Sequence, residues 1–417
     1  MTSLSPEQQL ELIRKHTVDL LPEEEMLEKL RSGRPLRVKL GVDPTGPDIH
    51  LGHAVVLRKL RLFQNLGHIA VLIIGDYTGL IGDPSGRNEG RPQLTREQIE
   101  RNMATYREQV FKILDPEKTE FHYNGEWLAK LTPDQIIRLM ATHTVAQILA
   151  REDFAKRYQA QLPISLHELL YPIFQGYDSV AIRADIELGG TEQKFNLLVG
   201  RELQRLGVLE APQEPQCIIT FPILVGTDGV QRMGKSLGNY IGLAEPPDQM
   251  FGKIMSIPDE CIQQYFELCT DVPEDEIAQM VAETQSGTLN LRDAKRRLGR
   301  EIVALYHSAA AAQEADETFM RVFSVSREQT REDYEALAED LTIPEEFRGK
   351  PAWASTILAR LSLAKSKSDA GRLIRGGGVY LSTPDGRERR ITDPQEEITL
   401  QPGMLLRVGK RRVAKLT

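Results

Sequence analysis

The sequence predicts an α/β fold: a parallel-sheet domain carrying a helical insertion, then a helical domain, then a small α+β domain at the C-terminus. Three observations point there. A strand, loop, helix and strand open the chain, the stretch after Pro247 is helical by period with no convincing strand, and the residues from Ala352 onward change sharply in charge.

Leu36 to Val42 is a short strand-like run ending in the turn-forming cluster Asp43-Pro44-Thr45-Gly46-Pro47, and from Leu51 to Leu66 the pattern turns helical. A second strand, Ile69 to Gly75, completes a βαβ unit of the kind that builds parallel sheets. Further strands are expected at Ser179 to Leu188 and Gln216 to Val225, while the helical patterns Leu94 to Leu114 and Asp134 to Tyr158 read as an insertion and a cover for the sheet. Asp259 to Leu268, Glu274 to Thr284 and Leu291 to Ala312 follow one another as helices. Thr330 to Pro351, charged and proline-bearing, reads as a linker. Beyond it, Ser355 to Leu363 and Ser368 to Arg375 look like short helices, followed by strand-like pieces with turns at Asp385-Gly386 and Pro402-Gly403. The expected divisions are 1–245, 246–330, a linker at 331–351, and 352–417.

With 417 residues, 41% hydrophobic and 27% charged, the chain can bury more than one core. Met1 to Lys15 carries charges every few residues and lacks the apolar stretch of a signal peptide. The longest apolar run, near Ile69 to Gly75, falls far below the roughly 20 residues a bilayer demands. A cytoplasmic location with no membrane partner is therefore expected. Cys217, Cys261 and Cys269 are odd in number with no Cys-x-x-Cys pair, which suits reduced thiols, and no structural metal is expected. The net charge of −8 is unevenly spread: Ala352 to Thr417 holds 13 Lys and Arg against 6 Asp and Glu, a net of +7, leaving −15 for the rest. The C-terminus therefore looks like a separate cationic module.

His50-Leu51-Gly52-His53 sits where the first loop enters a helix, a place where free backbone N–H groups and the helix dipole favour an anion. Two histidines there can donate to phosphate oxygens, and Gly52 lets a nucleotide approach the backbone. Gly229-Val230-Gln231-Arg232-Met233-Gly234-Lys235-Ser236 satisfies the P-loop pattern. A P-loop opens a helix, however, and Gly238, Gly242, Pro246 and Pro247 follow, so a mobile phosphate-binding loop is the better reading. Tyr171, Gln175 and Asp178 fall at i, i+4 and i+7, so one helix face presents all three.

Together, His-Leu-Gly-His near the start and Arg-Met-Gly-Lys-Ser after the last sheet strand resemble the two signature motifs of class I aminoacyl-tRNA synthetases. The resemblance to bacterial tyrosyl-tRNA synthetases covers nearly the whole chain, including Gly82-Asp83-Pro84-Ser85-Gly86-Arg87, Tyr171 with Gln175 and Asp178, and Gly189-Gly190-Thr191-Glu192-Gln193. Lys365 to Val379 resembles the S4-type RNA-binding domain. The resemblance implies a Rossmann-like catalytic domain, a helical insertion near 110–190 that joins a homodimer, a helical anticodon-side domain and an S4-like RNA-binding domain. The implied reaction joins L-tyrosine to ATP, accompanied by Mg²⁺, and passes the tyrosyl group to the 3′-terminal adenosine of tRNA(Tyr).

The resemblance also implies residue roles. His50 and His53 stabilise the ATP phosphates, with Asp43, Thr45, Gly52, Gly190 and Ser236 facing the nucleotide. Arg87, Arg91, Arg232 and Lys235 close on the leaving pyrophosphate, and Glu192 points at the ribose beside Gln193. Tyr171 and Gln175 hold the ammonium group with Asp83, while Asp178 accepts the phenol's hydrogen bond. Lys365, Lys367, Arg372 and Arg375 are the expected RNA phosphate contacts. The chain departs from the family pattern at Lys39, where many relatives have a tyrosine that meets the substrate phenol, and at Arg232, where the family has lysine. Lys39 is accordingly expected to donate to the phenol oxygen, to pair with a nearby carboxylate or, since strand residues alternate between faces, to face solvent. A tryptophanyl synthetase, which shares both motifs, a P-loop NTPase and a non-enzymatic RNA-binding protein are the competing readings; Asp178 favours a phenol, and two intact motifs favour an enzyme.

Overall fold

The computed structural model describes residues 4–85, 94–323, 334–335, 338–409 and 412–417, which form two compact units, 1–244 with 257–286 and 245–256 with 287–417. The first is built on a six-stranded sheet in the order β1-β6-β5-β2-β3-β4, comprising β1 (Asp19–Leu21), β2 (Arg37–Val42), β3 (Ile69–Ile74), β4 (Thr119–Tyr123), β5 (Ile186–Gly190) and β6 (Cys217–Phe221). β2 through β6 pair in parallel and only β1 runs antiparallel, against β6. The apolar runs in β3 and β6 follow from burial on both faces.

The chain leaves β2 towards β3 on one side and returns through β5 on the other, so the sheet's switch point lies between β2 and β5. The crevice beyond the C-terminal ends of those strands is where open α/β sheets bind ligands. The Leu51–Asn65 helix starts there, burying Leu51, Ala54, Leu57, Leu60 and Phe63 at helical spacing.

The insertion is less uniform than its periodicity predicts. The Asp134 to Tyr158 pattern breaks into helices Pro133–Met140, Val145–Leu149 and Glu152–Gln159, the first two opened by Thr132 and Thr144 capping boxes that restart the helix. The 110–190 span also contains the edge strand β4 and the whole of β5. The expected strand from Ser179 starts late, because the Tyr171–Ala181 helix runs on and turns out through Arg183 in the left-handed region before β5 begins. Short apolar runs do not distinguish strand from buried helix.

Residues 257–286 group with the sheet, whereas an independent helical domain was expected from 246. Their Tyr265 hydroxyl donates to the Val225 carbonyl at 2.7 Å, and Arg58 donates to the Thr270 carbonyl at 2.6 Å.

In the second unit, helices Pro247–Ser256, Leu291–Tyr306 and Ala309–Phe323 pack together, with Gly299 so close to Phe251 that a Cβ there would lie 2.6 Å from the ring. A five-stranded sheet follows, ordered β10-β9-β12-β13-β7, from β7 (Glu339–Leu341), β9 (Val379–Ser382), β10 (Glu388–Arg390), β12 (Leu405–Val408) and β13 (Arg412–Leu416). β8 (Pro351–Trp353) and β11 (Glu397–Thr399) form a separate pair. Helices Ala354–Arg360 and Lys367–Arg375 bury Leu358 and Ile374 in the same core as Val379, Leu406 and Ala414. The expected linker at 331–351 is therefore partly structural: β7 pairs in parallel with β13, its largely exposed, acidic residues disguising an edge strand.

Among the described residues no helix is long and apolar enough to cross a membrane. The three cysteines are buried free thiols, and burial pushes those of Cys217 and Cys269 up to about 12.

Candidate active site

A cavity of about 440 Å³ opens at the switch point. It is lined by Asp43, Thr45, His50, Gly52, His53, Asp83, Tyr171, Gln175, Asp178, Gly190, Glu192, Gln193, Arg232, Lys235 and Ser236, thus gathering segments far apart in sequence. Three expected site residues are not among them. Arg87 and Arg91 lie outside the described residues.

Lys39 is the third: of the roles expected for it, the structure gives it the pairing with a carboxylate and no place in the cavity lining. Its side chain is fully buried, and its ammonium donates to the Gln175 carbonyl at 2.8 Å and the Ser179 hydroxyl at 2.7 Å, and pairs with Glu187 at 2.8 Å. Three partners occupy its three hydrogens. Lys39 is the cross-strand neighbour of Glu187 in the β2–β5 register, which draws it to that carboxylate beneath the Tyr171–Ala181 helix and away from the cavity.

One end of the cavity is a buried polar network. Asp178 accepts from the Trp127 indole N–H at 2.7 Å and from the Asn124 amide at 3.2 Å. Burial pushes its carboxyl up to about 7, against the opposing pull of Lys39 and of these two donors. The Tyr171 hydroxyl donates to Asp43 at 2.8 Å, and the Thr78 hydroxyl donates to the other Asp43 oxygen at 2.9 Å. Gly75 leaves room for Asp43, since a Cβ there would lie 2.0 Å from its carboxylate. Gln193 donates to Asp83 at 2.8 Å, and Asn196 donates to Gln175 at 2.9 Å.

The other end is cationic and more open. His50 caps the Leu51–Asn65 helix, and its ring lies 3.8 Å from that of His53 between centroids. The His50 backbone N–H donates to His53 Nδ1 at 3.3 Å, so the neutral His53 ring carries its proton on Nε2. Burial, then Lys235, pushes His53 down to about 3, and burial with the same cationic surroundings pushes His50 lower still; both are neutral donors at physiological pH. Lys235 donates to the Gly46 and Asp48 carbonyls at 3.0 and 2.8 Å and to the Tyr106 hydroxyl at 3.2 Å. After Ser236 the chain makes only a 3₁₀ turn and a left-handed Gly238, with no helix until Pro247, unlike a P-loop. Asn239 braces this loop, accepting from the Gly234 N–H and donating to Asp228, both at 2.9 Å.

Between the ends, half-buried Glu192 has one carboxylate oxygen that is buried and meets no hydrogen-bond donor among the described residues, and burial raises its pKa. Gly190 makes room for it, because a Cβ there would lie 2.3 Å from that carboxylate.

Sequence reasoning missed Asn124, Trp127, Thr78, Glu187 and Asn196. Asn124 and Trp127 carry a readable signal, a polar residue and an aromatic at i, i+3 just past the C-terminal end of a parallel strand. Asn196 lies one helical turn after Gln193.

A sheet of this topology with paired histidines at its first helix and a Lys-Ser loop after its last strand defines a class I aminoacyl-tRNA synthetase; the family described as tRNA synthetases class I (W and Y) matches residues 31–324, and the chain belongs to it. Within that family it groups with the tyrosine–tRNA ligases. It is 51% identical over 412 residues to the tyrosine–tRNA ligase of Moorella thermoacetica, covering 98% of this chain and 95% of that protein. It is likewise 51% identical over 415 residues to that of Carboxydothermus hydrogenoformans, covering 98% and 97%. In fold it is similar to a C-terminally truncated Aspergillus nidulans mitochondrial tyrosyl-tRNA synthetase, with a TM-score of 0.62 at 21% identity over 76% of this chain and 94% of that one.

Proposed function

We infer that this chain is a tyrosine–tRNA ligase, which forms tyrosyl-adenylate and pyrophosphate from L-tyrosine and ATP and then transfers the tyrosyl group to tRNA(Tyr). The observation that carries this reading is one cavity with a buried, donor-held carboxylate at one end and a cationic, histidine-bearing helix start at the other.

Asp178 accepts the phenol's hydrogen bond, Tyr171, Gln175, Asp83 and Gln193 hold the α-amino-acid group, and Asp43 and Thr45 face the nucleotide. The substrate carboxylate, already ionised at neutral pH, attacks the α-phosphorus of ATP as the bond to the β-phosphate oxygen breaks. Lys235, Arg232, His50 and His53 stabilise charge that grows on the departing pyrophosphate, a task shared with Arg87 and Arg91. Glu192 takes the ribose hydroxyls, donors suited to its unsatisfied oxygen. Mg²⁺ would accompany ATP as part of the substrate and neutralise charge on its phosphates. In the second step a ribose hydroxyl of the tRNA's terminal adenosine attacks the tyrosyl carbonyl and AMP leaves.

The partner surfaces belong to the same reading. Ile137, Val145, Tyr158 and Leu166, 62 to 84% exposed on the insertion, support a homodimer there. Lys365, Lys367, Arg372 and Arg375, all exposed on or beside the Lys367–Arg375 helix, support RNA contact by the C-terminal module, and the helices Pro247–Ser256, Leu291–Tyr306 and Ala309–Phe323 supply the anticodon side. The expected location is the cytoplasm. ATP–pyrophosphate exchange, run with each of the standard amino acids in turn, tests the central claim: exchange dependent on tyrosine alone supports it, and tryptophan-dependent exchange overturns it. Reversing charge at Lys367 and Arg372 should weaken tRNA charging and its salt dependence while leaving exchange intact.

A further inference from the structure

Arg151 is buried, although it belongs to the helical insertion and no sequence motif singles it out. Its Nε and Nη2 donate to Asp153 at 2.7 and 2.6 Å, its guanidinium lies 4.4 Å from the Phe154 ring centre, and its Nη1 donates to Asn196 Oδ1 at 3.0 Å. Asn196 is itself fully buried. Gripped by the carboxylate and the ring, the guanidinium has one orientation.

Arginine has donors and no acceptor, so the Asn196 atom facing it must be the oxygen. That fixes the other end of the amide. Asn196 Nδ2 donates to Gln175 Oε1 at 2.9 Å and to Gln193 Oε1 at 3.1 Å. Both glutamines must therefore present oxygen to Asn196 and turn their NH₂ groups the other way. Gln193 Nε2 donates to Asp83 Oδ2 at 2.8 Å, while the Ser85 N–H donates to Asp83 Oδ1 at 2.9 Å. Asp83 then faces the cavity as a carboxylate with lone pairs to spare. An amide is nearly symmetric in shape, so nothing in packing alone decides which way such a chain runs. A fixed cation at its origin does, in agreement with the acceptor-only carboxylate of Asp83 at its end.

We propose that Arg151 and Asn196 are positioning residues that set the direction of the hydrogen bonds running through Gln193 to Asp83 and through Gln175 towards Glu187, and thereby make this end of the cavity select a cationic amino group. The proposal rests on the α-amino-acid group of tyrosine binding there. Reversal of Gln193 would aim its oxygen at Asp83, and reversal of Gln175 would aim its oxygen at Glu187, each setting acceptor against acceptor. The chain also reaches from the insertion into the site, since Arg151 directly precedes the Glu152–Gln159 helix.

The test uses the full-length enzyme and three variants. Asn196→Asp preserves shape but offers an oxygen to both glutamines; Arg151→Met removes the cation; Arg151→Lys keeps a charged donor. Pyrophosphate exchange gives kcat and the KM values for tyrosine and ATP. Competitive inhibition is measured with L-tyrosinol, which has the ammonium and no carboxylate, and with 3-(4-hydroxyphenyl)propanoate, which has the carboxylate and no ammonium. For Asn196→Asp and Arg151→Met, KM for tyrosine and Ki for tyrosinol should rise together by about tenfold or more. The propanoate Ki, KM for ATP and kcat should each stay within about threefold. Arg151→Lys should recover most of the loss. A merely structural role would weaken both inhibitors equally or raise KM for ATP alongside, and either result overturns the proposal, as does an unchanged tyrosinol Ki. Thermal unfolding of each variant identifies those that fold, and the inhibitor ratio is read on these; Asn196→Asp alone suffices. Wild-type enzyme without tyrosine-dependent exchange would refute the substrate reading instead.

Discussion

The two ends of the cavity are built on opposite principles. At the amino-acid end, Asp178 and Tyr171 are buried on a helix, the Lys39–Glu187 pair on the central strands supports that helix from outside the cavity, and polar groups there are matched by named partners. At the phosphate end, Arg232, Lys235 and His53 stay partly exposed, on a loop and at a helix start. Selecting one small molecule demands a fixed pattern of donors and acceptors, which only a satisfied, rigid network holds. Stabilising a departing polyanion demands positive charge that can follow it, which a loop supplies. Substitutions at the first end should therefore cost stability and selectivity, and those at the second should cost rate.

The largest expected effect is Lys39→Met, which leaves Glu187 buried without its cation and should lower unfolding free energy by about 3–5 kcal/mol. Replacing both partners by methionine should return much of that loss. Denaturant unfolding measures both, and a harmless single substitution would erase the contrast between the ends.

Lys235→Ala should slow adenylate formation by about two orders of magnitude, corresponding to about 3 kcal/mol of transition-state stabilisation, with tyrosine affinity and melting temperature nearly unchanged. Single-turnover kinetics with a tyrosine titration separates these quantities. A fall in tyrosine affinity at constant rate would assign Lys235 to the wrong end.

Asp178→Asn should reduce the preference for tyrosine over phenylalanine by at least about tenfold, because the amide keeps the shape but loses the charged acceptor, a difference of about 1–3 kcal/mol. Exchange assays with the two amino acids read it directly.

The smallest effect is a pH dependence. Because burial raises the Asp178 carboxyl to about 7, it is mostly protonated at pH 6 and mostly ionised at pH 8. Only the ionised form accepts freely from Asn124, Trp127 and the phenol together. KM for tyrosine should therefore fall by about tenfold from pH 6 to pH 8, while KM for phenylalanine, which lacks the phenol, stays flat. His53, held near 3, should add no inflection in that range.

Much of this organisation was legible in the chain itself. β2, its loop and the Leu51–Asn65 helix, the paired histidines, the Lys-Ser loop and the three polar residues on one helix face are local patterns, and backbone geometry converts local spacing into local structure. Fifteen residues expected at the site line the cavity for that reason.

What only the tertiary structure decided is partnership across distance. Position 39 alternates towards one face of β2, but whether its ammonium meets a substrate or a carboxylate depends on β5 lying beside β2 in a register that sets Lys39 against Glu187. Trp127 and Asn124 become supports of Asp178, and Arg151 the origin of the Asn196 chain, only once segments tens of residues apart have packed. β7 escaped notice for the same reason, its largely exposed charged residues gaining their role from β13 at the far end of the chain. A sequence encodes which faces are apolar and which residues can donate or accept, because those are properties of each residue and its near neighbours. Which donor meets which acceptor is settled by burial, since an unpaired polar group inside the protein is costly and the chain must fold so that each finds its match.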